Sequence, residues 1–96
     1  MKRSNEQSLK QSVYHMIDAL GMRPKMDEMD IATSWDNVVG AMVARHTVSV
    51  RLRRGRLHVQ VDSAPLRQEL GYMRDALKEV LNKRAGREVV HEIVLE

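Results

Sequence analysis

The chain has no cysteine and no phenylalanine, and only two prolines, two tyrosines (Tyr14 and Tyr72) and one tryptophan (Trp35) among 96 residues. Without cysteine there is no disulfide, no zinc ribbon and no thiol chemistry, and the redox state of the compartment is left open. With so few aromatics the core has to come from Leu, Ile, Val and seven Met, whose thioether side chains adapt to irregular gaps. No apolar run is long enough to span a bilayer, and residues 1–10 lack the apolar stretch of a signal peptide. The sequence reads as a soluble, cytoplasmic protein with no membrane partner.

Ninety-six residues suffice for one domain with one hydrophobic core, and a second does not fit. The single domain is expected over residues 1–96, with residues 1–5 disordered. Charged residues make up 30% and hydrophobic ones 43%, the composition of an ordinary globular chain.

The net charge of +3 is modest, but its distribution is uneven. No acidic residue occurs from Asn37 to Val61, while Arg45, Arg51, Arg53, Arg54 and Arg56 all fall there, together with His46 and His58. Charge of one sign within a Debye length of about 8 Å is what an anionic partner meets.

Leu9, Val13, Met16, Ile17 and Leu20 recur at helical spacing, which predicts a helix capped by Ser4 or Asn5 and ended by Gly21. Pro24 suits the first turn of a second helix, with Asp27, Glu28 and Asp30 near the positive end of its dipole. Its buried face is expected at Ile31, Trp35, Val38, Val39 and Met42. Gly40 lies opposite that face, where the helix either bends or is closely approached.

After His46 the period becomes two. Val48, Val50 and Leu52 are expected to point one way, and Thr47, Ser49, Arg51 and Arg53 the other. Leu57, Val59 and Val61 then alternate with Arg56, His58 and Gln60. Arg54-Gly55 joins these two strands as a hairpin, with Gly55 supplying positive φ. Ser63 caps a third helix that tolerates Pro65 in its first turn, presents Leu66, Leu70, Met73, Leu77, Val80 and Leu81, and stops at Gly86. Glu88 to Leu95 reads as a last strand with apolar residues on both faces.

The order α, α, β, β, α, β predicts an α+β fold: a two-layer sandwich of three helices on one face of a three-stranded sheet. The three helical stripes and the inner sheet face are expected to bury one another. The outer face then carries Arg51, Arg53, Arg56 and His58 as an uninterrupted cationic surface. Arginines at alternate positions of paired strands hold phosphates bidentately, whereas a merely solvated face usually mixes signs. A solubilising face that protects the sheet edge is the bland alternative. The hairpin has no interleaved aromatics, so base stacking on this sheet is not expected, and Trp35 is assigned to the core.

No catalytic constellation can be read from the sequence, so an enzyme is not expected. The four histidines, His15, His46, His58 and His91, do not fall at metal-ligand spacings, and no cofactor, metal or small-molecule substrate is implied.

The segments Trp35 to Gly40, Ala44 to Thr47, Arg54 to Ser63 and Leu66 to Leu70, taken in order, resemble the DciA-like family of bacterial proteins. The resemblance implies a fold similar to a K-homology domain, affinity for DNA, and a role in bringing the replicative helicase onto DNA. The sequence has no GxxG loop, so the RNA-clamping mode of true K-homology domains is not carried over. The reading that follows is a non-enzymatic module that binds single- or double-stranded DNA and assists the replicative helicase. Arg51, Arg53, Arg54 and Arg56 are the candidate phosphate ligands, with His58 on the same face and Arg45 and Arg67 flanking. The alternatives are a protein-interaction or dimerisation module that pairs through a sheet edge, and an RNA-binding domain.

Overall fold

A computed structural model describes the backbone of residues 2–96 and the side chains of residues 8–96. Met1 and the side chains of residues 2–7 lie outside the described residues; of residues 1–5, expected to be disordered, the backbone of residues 2–5 forms the start of the first helix. The element order is α1 (Lys2–Ala19), α2 (Arg23–His46), β1 (Thr47–Arg53), β2 (Arg56–Val61), α3 (Ala64–Gly71), α4 (Arg74–Ala85) and β3 (Glu92–Leu95). This is an α+β protein with one three-stranded sheet. The order in the sheet is β1-β2-β3, with β1 antiparallel and β3 parallel to the central β2.

The inner face of the sheet builds the core. Leu57, Val59 and Val61 of β2 and Ile93 of β3 meet Ile31 and Trp35 of α2, Leu70 of α3, and Leu77 and Leu81 of α4. Val50 and Leu52 join from β1, opposite Val59 and Leu57. At about 25 cal/mol per Å² of apolar surface removed from water, this cluster is the main source of folding free energy.

Several expectations change at this level. Helix α1 starts at Lys2, ahead of the caps expected at Ser4 or Asn5. Its apolar stripe is not buried: Leu9 and Leu20 are 68% and 67% exposed, and Val13 and Met16 are exposed as well. The core is already closed by α2, α3 and α4, so α1 stands outside it and lengthens the molecule. The radius of gyration is 15.4 Å, against about 12–13 Å for a compact chain of this length. What fixes α1 is polar. Arg23 donates to both carboxylate oxygens of Asp18, at 2.8 and 3.0 Å, and its guanidinium lies 4.8 Å from the centre of the Tyr14 ring. That hydrogen bond holds the Asp18 carboxyl below its ordinary range and raises Arg23.

Gly40 resolves as a bend, with φ 87° and ψ 170° inside α2 and open space where a side chain would stand. The turn of helix beyond the bend is rotated, and Met42, expected in the core, is 62% exposed. The expected third helix is two helices. Tyr72 and Met73 donate to carbonyls three residues back, at Glu69 and Leu70, so the chain tightens and restarts as α4. The bend aims Leu70, Leu77 and Leu81 at the sheet and leaves Met73 and Val80 outside.

The last strand is half its expected length, running only over Glu92–Leu95. Residues 88–91 are held instead by Asn82, whose Oδ1 accepts from the Val89 and Val90 amides at 2.9 and 2.8 Å. Its Nδ2 donates to the Val90 carbonyl at 2.8 Å. Asp27 and Glu28 do not lie in the first turn of α2, which begins at Arg23, and so do not serve its dipole as expected. Asp27 pairs with Arg87, and Glu28 reaches β1.

Candidate nucleic-acid interface

The hairpin forms as the sequence predicts, with a two-residue connection at Arg54-Gly55. Both residues have positive φ, 51° and 80°, as a tight turn matched to strand twist requires. Gly55 also has a steric role. A Cβ there would meet His91 Cδ2 at 2.1 Å, because the Gly55 carbonyl accepts from the His91 amide at 2.7 Å and the Glu92 amide at 3.2 Å. The hairpin tip is thereby fastened to the start of β3.

The register places Arg51 opposite His58 and Arg53 opposite Arg56. Because alternate residues share a face, these four side chains form one patch on the outer side of the sheet, with Arg54 at its end. At the base of β1 the alternation is broken. A register shift between Thr47 and Ser49 leaves Val48 exposed and turns Thr47 inward, opposite to both expectations.

The patch is not an uninterrupted cationic surface. The acid-free stretch of sequence is met in space by carboxylates from three other places. Arg51 Nε lies 3.4 Å from Glu28 of α2, Arg56 Nε 3.4 Å from Glu92 of β3, and His58 Nδ1 2.7 Å from Glu96. Glu28 also accepts from the Leu52 amide at 3.0 Å, on the outer edge of β1. Burial pushes its carboxyl up, but the Leu52 amide and the Arg51 guanidinium outweigh this and hold it below the ordinary value.

Arg53 and Arg54 are exposed and have no carboxylate within ion-pair distance among the described residues. The free charge is therefore concentrated at the hairpin tip. Arg45 and Arg67, the flanking candidates, are not brought to it. Arg45 is exposed in the last turn of α2, at the end of the sheet away from the tip. Arg67 is half-buried, and its Nη2 donates to the Val61 carbonyl at 2.9 Å, at the far end of β2.

Among the described residues no group of three or more His, Asp or Glu side chains is placed to hold a metal ion, and no helix is long and apolar enough to cross a membrane.

Comparison with curated proteins and with solved structures yields no match. The family model described as "Dna[CI] antecedent, DciA" matches residues 8–95, from the first helix to the last strand. This family is linked to loading of the replicative helicase and is not a known enzyme family. With nearly its whole length covered by that one model, the chain belongs to the DciA family.

Proposed function

We propose that this protein is a non-enzymatic DNA-binding module that works with the replicative helicase, and that the hairpin tip is where it holds phosphates. The observation that carries the reading is the pairing of Arg53 with Arg56 directly across the strands, beside Arg54 in the turn. Like charges at directly opposed positions are destabilising. Glu92 relieves Arg56, while Arg53 and Arg54 have no such neighbour among the described residues, so the tip keeps a repulsion that an anionic ligand removes. Guanidinium groups on a rigid two-stranded ribbon suit bidentate contact with backbone phosphates. The helicase link of the family supplies the setting in which DNA is at hand.

In this reading Arg53 and Arg54 are the principal ligands. Arg51, Arg56 and His58 contribute by exchanging a carboxylate for a phosphate, and Arg45 and Arg67 lie too far away to share the same phosphates. A fold similar to a K-homology domain belongs to the same proposal, supported by the parallel pairing of β2 with β3 across the α3–α4 connection. Pairing of a partner chain on β1 has less support, because Glu28 already occupies the Leu52 amide at that edge.

The test is a titration of labelled single- and double-stranded DNA at several ionic strengths. Affinity is expected to fall steeply with salt, as each neutralised phosphate releases condensed counterion. R53E/R54E, in a protein that keeps its melting temperature, is expected to abolish binding. Salt-independent affinity, or binding that survives the double substitution, would overturn the assignment.

A further inference from the structure

At the opposite end of the sheet from the hairpin lies a second feature with the properties of a ligand site. A cleft of about 440 Å³ opens beside the α3–α4 turn, lined by Arg67, Gln68, Gly71, Tyr72, Arg74 and Leu95 and by no carboxylate. Three of its properties point the same way.

The first is Tyr72, 75% exposed at the turn between the helices. An aromatic ring normally contributes its large apolar area to the core or to an interface, and this one contributes it to neither. Its hydroxyl accepts from Gln68 Nε2 at 3.1 Å, which limits the directions in which the ring can lie. The second is Arg67. Its Nη2 is committed to the Val61 carbonyl, and this fixes the guanidinium against the end of β2. Its Nε–H is buried without an acceptor. A buried donor left unpaired is costly, and Nε meets an acceptor in the cleft only if the Arg67 side chain shifts toward it. The third is Arg74, whose Nη2 lies over Gly71, 3.8 Å from where a side chain there would begin.

A planar, exposed ring in one cleft with two guanidinium-bearing residues matches a ligand that has both a flat face and an anionic oxygen. The geometry points to a base-stacking subsite for single-stranded DNA, with one base on the Tyr72 ring and the neighbouring phosphate at Arg67 and Arg74. This rests on the proposed function and deepens it by naming the form of DNA that is held. β2 spans six residues between the two sites, about 20 Å.

The experiment compares labelled oligothymidylate with an abasic strand of equal length, by fluorescence anisotropy at low salt. The wild-type protein is expected to bind oligothymidylate about tenfold more tightly than the abasic strand, as stacking of one base implies. Y72A is expected to lose that preference and Y72F to keep it, and equal melting temperatures establish that both variants fold at this exposed position. R53E/R54E is expected to abolish binding of both strands. If Y72A still prefers oligothymidylate while R53E/R54E loses binding, the stacking subsite is wrong and the hairpin reading stands. If the wild-type protein binds neither strand at any salt concentration, both readings fail. Tighter binding of oligouridylate than of oligothymidylate would overturn the assignment to DNA.

Discussion

Trp35 and Thr47, twelve residues apart, are joined side chain to side chain: the indole N–H donates to the threonine hydroxyl at 3.1 Å, and that hydroxyl donates to the Val43 carbonyl at 2.8 Å. The pair ties the middle of α2 to the first residue of β1 and explains why the bulge turns Thr47 inward.

Trp35 is fully buried, so its N–H depends on that one acceptor. Thr47→Val keeps the shape and removes the oxygen. It is expected to destabilise the fold by about 1–2 kcal/mol, the usual cost of orphaning a buried donor. Urea unfolding curves check this. A loss below a few tenths of a kcal/mol would mean that the indole finds another acceptor.

Gly55→Ala is expected to cost about 2 kcal/mol or more, since it combines an unfavourable positive φ with a clash against His91. The two causes separate in a double-mutant cycle. His91→Ala in the Gly55→Ala background is expected to recover the steric part and leave the backbone part, giving a coupling energy of about 0.5–1 kcal/mol or more. Additive melting shifts would show that the hairpin tip moves away from His91 freely.

Arg54 occupies a left-handed conformation with φ 51°, which asparagine tolerates better than arginine. Arg54→Asn is expected to stabilise the protein by about 0.5–1 kcal/mol. The same change is expected to weaken DNA binding and lower the salt slope by about 0.7 for single-stranded DNA, the loss of one phosphate contact. Opposite signs in the two measurements would separate a binding role from a folding role, whereas unchanged affinity would remove Arg54 from the interface.

Glu28 links acid stability to the edge of β1. Its folded pKa lies below the ordinary 4.5, so the unfolded chain takes up its proton first as pH falls. The resulting stability is fully present above that ordinary value and is lost as pH drops through the folded one. Glu28→Gln keeps an acceptor for the Leu52 amide but has no proton to gain. Its stability is expected to fall less steeply than wild type below about pH 4.5 in denaturant titrations at stepped pH. Parallel curves would show that another carboxylate governs the acid transition.

Much of the fold was legible because it depends on neighbours in sequence. The period change at His46 and the Arg54-Gly55 turn located the hairpin, and Ser63 caps α3 as expected, accepting from the Leu66 amide at 3.3 Å. The break at Tyr72–Met73 was hidden. Leu66, Leu70, Leu77 and Leu81 keep helical spacing across it, and a hydrophobic pattern records which residues face the core without recording that the axis bends. Asn82 gave no signal either, since a polar residue on a helix normally reads as solvent-facing, and its three partners lie in a segment that the pattern assigned to a strand.

The amino-acid order alone determined the class of most elements, the apolar stripes and the run of arginines without acids, all of which follow from side-chain chemistry and spacing within a few residues. Which arginines are free was decided only by the tertiary structure. Glu28, Glu92 and Glu96 come from far along the chain to stand beside Arg51, Arg56 and His58, and Coulomb interactions depend on distance in space, where sequence separation has no weight. The same reasoning holds for α1, whose apolar stripe marks it as a helix with a face to bury. That this face lies outside the core follows from how completely α2, α3 and α4 already cover a three-stranded sheet.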